Sequence, residues 1–204
     1  MRRNIQIVRW TLLVVACLTA GLYFGRNLGL SIGNTGNTIP QPDLSEAATV
    51  LPDFVLSDLN GVPRPISDWS GRPMLINFWA TWCAPCRREM PLLQQLHEES
   101  GNDGLQVIGI AIDRAPDVSA FTMETGITYP ILVGQEDAIE VTDGFGLDFL
   151  GLPFSVLVDE AGQILKIQLG ELHAADLKLI LAVMAELGAG EIDVDAARQR
   201  LQTL

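Results

Sequence analysis

The sequence predicts an α/β fold, a central mixed sheet flanked by helices with an extra N-terminal β-hairpin. Three observations predict it. Residues 74–79 and 105–112 are continuous apolar runs of strand length, the pattern of strands covered on both faces. Each run is followed by a segment that reads as helix, the β-α-β order of neighbouring parallel strands. Farther on, residues 154–158 and 163–169 flank Asp159-Glu160-Ala161-Gly162, a turn that joins antiparallel neighbours.

Taken in order, the chain opens with Arg2, Arg3 and Arg9 ahead of residues 10–24, which carry no charge. Counted from Ile5, the mostly apolar stretch reaches 20 residues, enough to span a bilayer. Positive charge on its leading side orients the N-terminus toward the cytoplasm and the remainder outside. Residues 1–25 are therefore read as a single-pass anchor with Trp10, Tyr23 and Phe24 at the interfaces. Two alternatives compete with it. A cleaved signal peptide would need a shorter apolar core and a small-residue cleavage site, neither of which is evident before Arg26. Val14-Val15-Ala16-Cys17 resembles a lipoprotein processing box, but residues 18–24 stay apolar where a lipoprotein begins a polar tether. All three deliver the same domain to an oxidising compartment.

Residues 26–50 read as a flexible linker, because Gly, Asn, Ser and Pro break every periodicity there. The folded domain is expected over 51–190. Pro52 to Leu56, then Asp58-Leu59-Asn60-Gly61 and a second short strand, make the hairpin. The strand at 74–79 leads to a helix over 83–99 with Met90, Leu92, Leu93 and Leu96 on its apolar face. After the strand at 105–112, Asp117 is the expected cap of a helix reaching Glu124. A strand at 129–133, a weaker helix at 136–144, the antiparallel pair and a helix over 174–187 complete the domain. Residues 191–204 form a C-terminal helical extension.

Composition narrows the function. Four of the 13 basic side chains precede residue 27, so the body sets nine against 25 acidic ones, a net −16. Such a body is repelled by phosphate backbones, which sets nucleic-acid binding aside.

The chemistry points to Trp82-Cys83-Ala84-Pro85-Cys86, directly after the strand at 74–79. A cysteine at a helix N-terminus meets unpaired N–H groups and the positive end of the dipole, which favour the nucleophilic thiolate. Cys83 is thus the attacking sulfur, and Cys86, one turn further in, resolves the mixed disulfide. A structural staple is a poor explanation, because a two-residue loop gains little from closure. Structural zinc would want a second pair or a nearby His. Copper handling would recruit His97 or His173, the only histidines, and neither is clearly aimed at Cys83. Ala80 stands where a peroxidatic loop needs Thr or Ser. Cys17, alone in an apolar helix, is read as a small hydrophobe with no redox role.

The order strand, Trp-Cys-x-x-Cys, helix, strand, helix and Gly-x-Pro before a terminal hairpin resembles the thioredoxin fold over 51–190. More narrowly, the run Asn77-Phe78-Trp79-Ala80-Thr81-Trp82-Cys83-Ala84-Pro85-Cys86-Arg87-Arg88-Glu89-Met90-Pro91 is similar to the TlpA/ResA/CcmG (DsbE) group. That resemblance implies a membrane-anchored thiol-disulfide reductase with its N-terminus cytoplasmic and its domain periplasmic, serving cytochrome c maturation or related assembly. It implies a redox-active Cys83–Cys86 disulfide, no other cofactor and no metal. The partners would be a membrane thiol donor of the DsbD/CcdA kind and client disulfides in apocytochrome c or a copper-site assembly protein. Pro153 in Gly151-Leu152-Pro153 matches the family's cis-proline, with Leu152 and Trp82 on the substrate side. Glu89 matches the family glutamate for proton transfer as Cys86 attacks, and its burial should raise its pKa. Asn77 replaces the buried aspartate of cytosolic thioredoxins, and an amide accepts no proton at neutral pH. Phe154 and Ser155 replace two threonines, which suggests a more apolar substrate groove.

Overall fold

The computed structural model of the protein describes residues 47–100, 104–146 and 151–204. The proposed anchor, Cys17 and most of the linker lie outside the described residues. Twelve elements follow in order: β1 Val55–Asp58, β2 Pro63–Pro65, β3 Met74–Trp79, α1 Ala84–Ser100, β4 Gln106–Ile112, α2 Ala115–Thr125, β5 Ile131–Gly134, α3 Glu136–Gly144, β6 Phe154–Val158, β7 Ile164–Leu169, α4 Ala174–Gly188 and α5 Val194–Leu201. They build a thioredoxin-like mixed sheet of order β2-β1-β5-β4-β3-β6-β7.

The central strands β3, β4 and β5 are parallel, in keeping with their mostly apolar sequences, and β1, β6 and β7 join antiparallel. β1 pairs β2 across the Asp58 turn, where Asp58 Oδ1 accepts the N–H groups of Asn60 and Val62. Period-2 alternation then sorts β3 onto two faces. Leu75 and Trp79 enter one core cluster with Cys83, Cys86, Met90 and Leu93 of the α1 side, whereas Met74, Ile76 and Phe78 enter the other. Phe78 stacks on Phe154 with ring centroids 4.2 Å apart and meets Phe145 edge-on at 5.8 Å. Truncating such a ring costs about 3–5 kcal/mol.

Several expectations need correction. Asp117 does not cap α2, which begins at Ala115 with Pro116 in its first turn; Asp117 instead pairs with Arg114. Phe154 does not make a groove apolar, because it is 2% exposed and stacked in the core on the face away from the cysteines. A 3-10 turn at Ile66–Trp69, unforeseen in the sequence, buries Ile66 and Trp69.

The ordered body also starts before Leu51. Ala48 donates its N–H to the Phe145 carbonyl, Thr49 accepts from Ile164 N, and Leu51 donates to Gly162. This strap lies against the start of β7, and Ala47, Ala48 and Leu51 pack on the Phe78 side of the sheet. At the other terminus α5 buries Ala197 and Leu201 in the Cys83 cluster, and Arg198 Nε donates to the Ile164 carbonyl. Those groups cover the β7 edge at one end, where an open strand would invite pairing.

Candidate active site

β3 delivers the chain to Cys83 at its C-terminal end, through Ala80 and Thr81. Asp113, just past β4, fixes that passage: its Oδ2 accepts the Thr81 N–H at 3.0 Å and the Thr81 hydroxyl. α1 then starts at Ala84, one residue later than the sequence suggests, which leaves Cys83 as the cap. Its carbonyl accepts from Arg87 N at 3.1 Å and its Sγ from Cys86 N at 3.3 Å. The sulfur therefore occupies the place where a capping oxygen satisfies a free N–H.

Cys83 and Cys86 are joined as a disulfide with Cα atoms 5.3 Å apart. Cys83 is 5% exposed and Cys86 fully buried, while the neighbouring Trp82 is 67% exposed. The Leu152–Pro153 peptide is cis. Phe78 pairs with Phe154, so Pro153, directly before β6, lies beside the end of β3 that runs toward Cys83. Leu152 is half-buried and touches both core clusters.

Glu89, one turn past Cys86, is completely buried. Its Oε1 accepts from Asn77 Nδ2 at 2.8 Å and its Oε2 from the Leu172 N–H at 2.7 Å. Burial pushes its pKa up to about 7, against the pull of those two donors and with a small push from Glu171. Arg88 and Glu171 form an ion pair beside it, which holds Glu171 below the usual carboxylate range. Tyr129 is buried on the same side, its hydroxyl without a partner, and burial together with the Glu89 charge pushes its pKa up.

Asn77 was legible in the sequence only as a departure, and its actual work is to bind Glu89. Ser155 was read only as part of a more apolar groove, whereas it is buried and bonded to Asn77, and the Leu172 N–H was missed altogether. Ser155 Oγ accepts from Asn77 Nδ2 at 3.0 Å because Ser155 is the β6 partner of Asn77. Strand alternation across the antiparallel pair could have found it. The Leu172 amide left no signal, because a backbone donor has no residue type.

His97 is half-buried, its ring 6.2 Å from that of Tyr129, and His173 is an exposed residue at the start of α4. Among the described residues, no group of three or more His, Cys, Asp or Glu side chains is arranged to hold a metal ion.

Residues 46–181 match the Redoxin family model. The chain belongs to the Redoxin family. The thiol-disulfide oxidoreductase ResA of Geobacillus thermodenitrificans is 30% identical over 179 residues, covering 87% of this chain and 95% of ResA. The thioredoxin-like protein YneN of Bacillus subtilis is 33% identical over 133 residues, covering 62% of this chain and 74% of YneN. The crystal structure of a thioredoxin-family thiol:disulfide interchange protein from Chlorobium tepidum superposes with a TM-score of 0.60 at 29% identity, covering 67% of this chain and 95% of that one. This Redoxin-family chain is a TlpA/ResA/CcmG-like, thioredoxin-fold thiol-disulfide oxidoreductase. Its partners are redox proteins and clients that carry disulfides.

Proposed function

We propose that the chain is an extracytoplasmic thiol-disulfide reductase working through Cys83 and Cys86, with its substrates in cytochrome c maturation or a related assembly process. The observation that carries this reading is the Cys86 N–H donated to Cys83 Sγ at the start of α1, with buried Glu89 one turn below.

In the dithiol form, that N–H and the helix terminus stabilise a Cys83 thiolate. The thiolate attacks one sulfur of a client disulfide. A Cys83–client mixed disulfide forms, and the client's other sulfur leaves as thiolate. Cys86 then gives its proton to the Glu89 carboxylate and attacks Cys83 Sγ. The Cys83–Cys86 disulfide forms, the second client thiolate leaves, and the client has gained two electrons. Glu89 passes its proton to a departing thiolate or to solvent. Trp82, Leu152 and Pro153 flank the attacking sulfur. Pro153 has no N–H, and the cis bond leaves the Leu152 backbone to pair with the incoming chain.

Recharging needs a dithiol donor, because the chain has no Gly-rich nucleotide loop of its own. A membrane thiol donor of the DsbD/CcdA kind fits the apolar stretch in residues 1–25, read as an inner-membrane anchor that holds the domain on the periplasmic side. Apocytochrome c and copper-site assembly proteins are the client classes.

Cys86→Ala in cells tests the reading. Mixed disulfides should accumulate on Cys83 and disappear in the Cys83→Ala/Cys86→Ala double variant. Recovery of no client adduct from the single variant would overturn it. A reduction potential near the strongly oxidising DsbA value would reverse the direction.

A further inference from the structure

Glu89 presents a hydrogen-bonding problem that its neighbours solve for only one of its two charge states. As a carboxylate it accepts two bonds, from Asn77 Nδ2 and from the Leu172 N–H. When it takes the proton of Cys86, one oxygen becomes an O–H donor that requires an acceptor. The Leu172 N–H is fixed backbone and cannot become one. At the other oxygen the facing group is an amide, which carries a donor and an acceptor on one rotatable bond. Its acceptor, Asn77 Oδ1, is buried and without a partner. A buried amide oxygen left unpaired costs about 1–3 kcal/mol.

The second partner of Asn77 has the same two-way character. Ser155 Oγ now accepts from Nδ2, and a hydroxyl can equally donate. The sheet register sets the three groups in one place: Asn77 lies between Gly109 of β4 and Ser155 of β6, on the α1 face of the sheet. A Cβ on Gly109 would stand 2.6 Å from Ile131 Cδ1 and 3.0 Å from Trp79 Nε1, so there is no room for a side chain beside Asn77 at that position.

We propose that Asn77 and Ser155 form a reversible amide–hydroxyl couple, turned one way for the carboxylate of Glu89 and the other way for its acid. In the turned state Asn77 Oδ1 accepts the Glu89 O–H and the Ser155 O–H together. Two hydrogen bonds are then made in either state. The Glu89 O–H then finds an acceptor, the unpaired buried place passes from Asn77 Oδ1 to Nδ2, and Asn77 is a positioning residue acting through Glu89. This rests on the assignment of proton transfer to Glu89.

The other groups around Glu89 cannot substitute. From α1, Cys86 is the proton's source and Arg88 is engaged with Glu171; from the segment before α4, Glu171 is engaged with Arg88, and His173 is exposed. Tyr129, ahead of β5, makes no hydrogen bond to Glu89 through its buried hydroxyl. β3 and β6 present only Asn77 and Ser155.

The test is NMR on the oxidised, isotope-labelled full chain, with Glu89 13Cδ reporting protonation and contacts from the Asn77 side-chain amide protons reporting its orientation. At pH 9 those protons should show NOEs to Glu89 Hγ and Ser155 Hβ. At pH 5 both should weaken severalfold as the oxygen turns inward. Unchanged NOEs across a clear 13Cδ titration overturn the couple and leave the role of Glu89 standing. A Glu89 13Cδ that does not titrate between pH 5 and 9 overturns both. In Asn77→Leu, which has neither donor nor acceptor, the 13Cδ midpoint should rise, because the anion loses more than the acid. An unmoved midpoint would sever Asn77 from Glu89 and overturn the couple.

Discussion

Leu172 donates its backbone N–H to Glu89 Oε2 at 2.7 Å, although the two residues lie 83 positions apart in the chain. Arg88 and Glu171, the residues immediately before them, form an ion pair at the same place. Two successive positions of α1 are thus clasped to two successive positions ahead of α4, one clasp buried and one exposed. The buried clasp fixes where Glu89 points, and the exposed one sets the charge it senses.

Glu89 should make stability fall as the pH rises toward neutrality. Its carboxyl has a pKa of about 7 in the folded chain against an ordinary value of 4.5, so the folded state binds the proton more tightly. Its contribution is complete below pH 4.5 and is lost as pH rises through 7, a span worth about 3 kcal/mol. Glu89→Gln removes that slope. Urea midpoints at half-unit intervals from pH 4.5 to 8 give the comparison, and a wild-type slope in the variant would assign the effect elsewhere.

Arg88→Ala should cost little stability and yet move the titration of its neighbour. The pair is exposed on the Arg88 side, so its loss costs little and its effect is screened by salt. Glu171, freed of its partner, repels the Glu89 charge more strongly, so the Glu89 midpoint rises. The 13Cδ titration checks the direction at low ionic strength.

Asp113→Ala should slow disulfide exchange by loosening the passage from β3 to Cys83. Two donors of Thr81 lose their acceptor, a cost of about 1–3 kcal/mol in a half-buried setting. Asn in place of Asp keeps one acceptor and should recover part of both stability and rate. The rate of reduction of a model peptide disulfide by the dithiol form, compared among the three proteins, measures it.

Gly109→Ala should destabilise the sheet although it adds only a methyl group. The added Cβ would stand 2.6 Å from Ile131 Cδ1, 3.0 Å from Trp79 Nε1 and 3.1 Å from Tyr129 Cε2. Overpacking of this kind costs about 1–3 kcal/mol. A shift of the thermal midpoint with unchanged cysteine reactivity is expected.

The apolar runs of β3 and β4 announced themselves because strands buried on both faces carry few polar residues, here only Asn77 and Gln106. Cys83, Cys86 and the Gly-x-Pro element were equally plain, since their spacing along the chain is their chemistry. Asn77 was harder to read. Alone it is an amide in a strand, and its meaning depends on Glu89 above and Ser155 beside it, which only the register of β3 with β6 brings together. Asp117 misled because a good capping residue stood two positions inside a helix that Pro116 had already started. Phe154 misled because a position next to the cis-proline need not share its side of the sheet.

The strap at residues 48–51 grips β7 beside Ile164, at the end of the sheet farthest from Cys83, and packs on the Phe78 side rather than the cysteine side. Ala47 therefore lies behind the sheet, and the strands stand as a wall between that end of the described residues and the Cys83 sulfur.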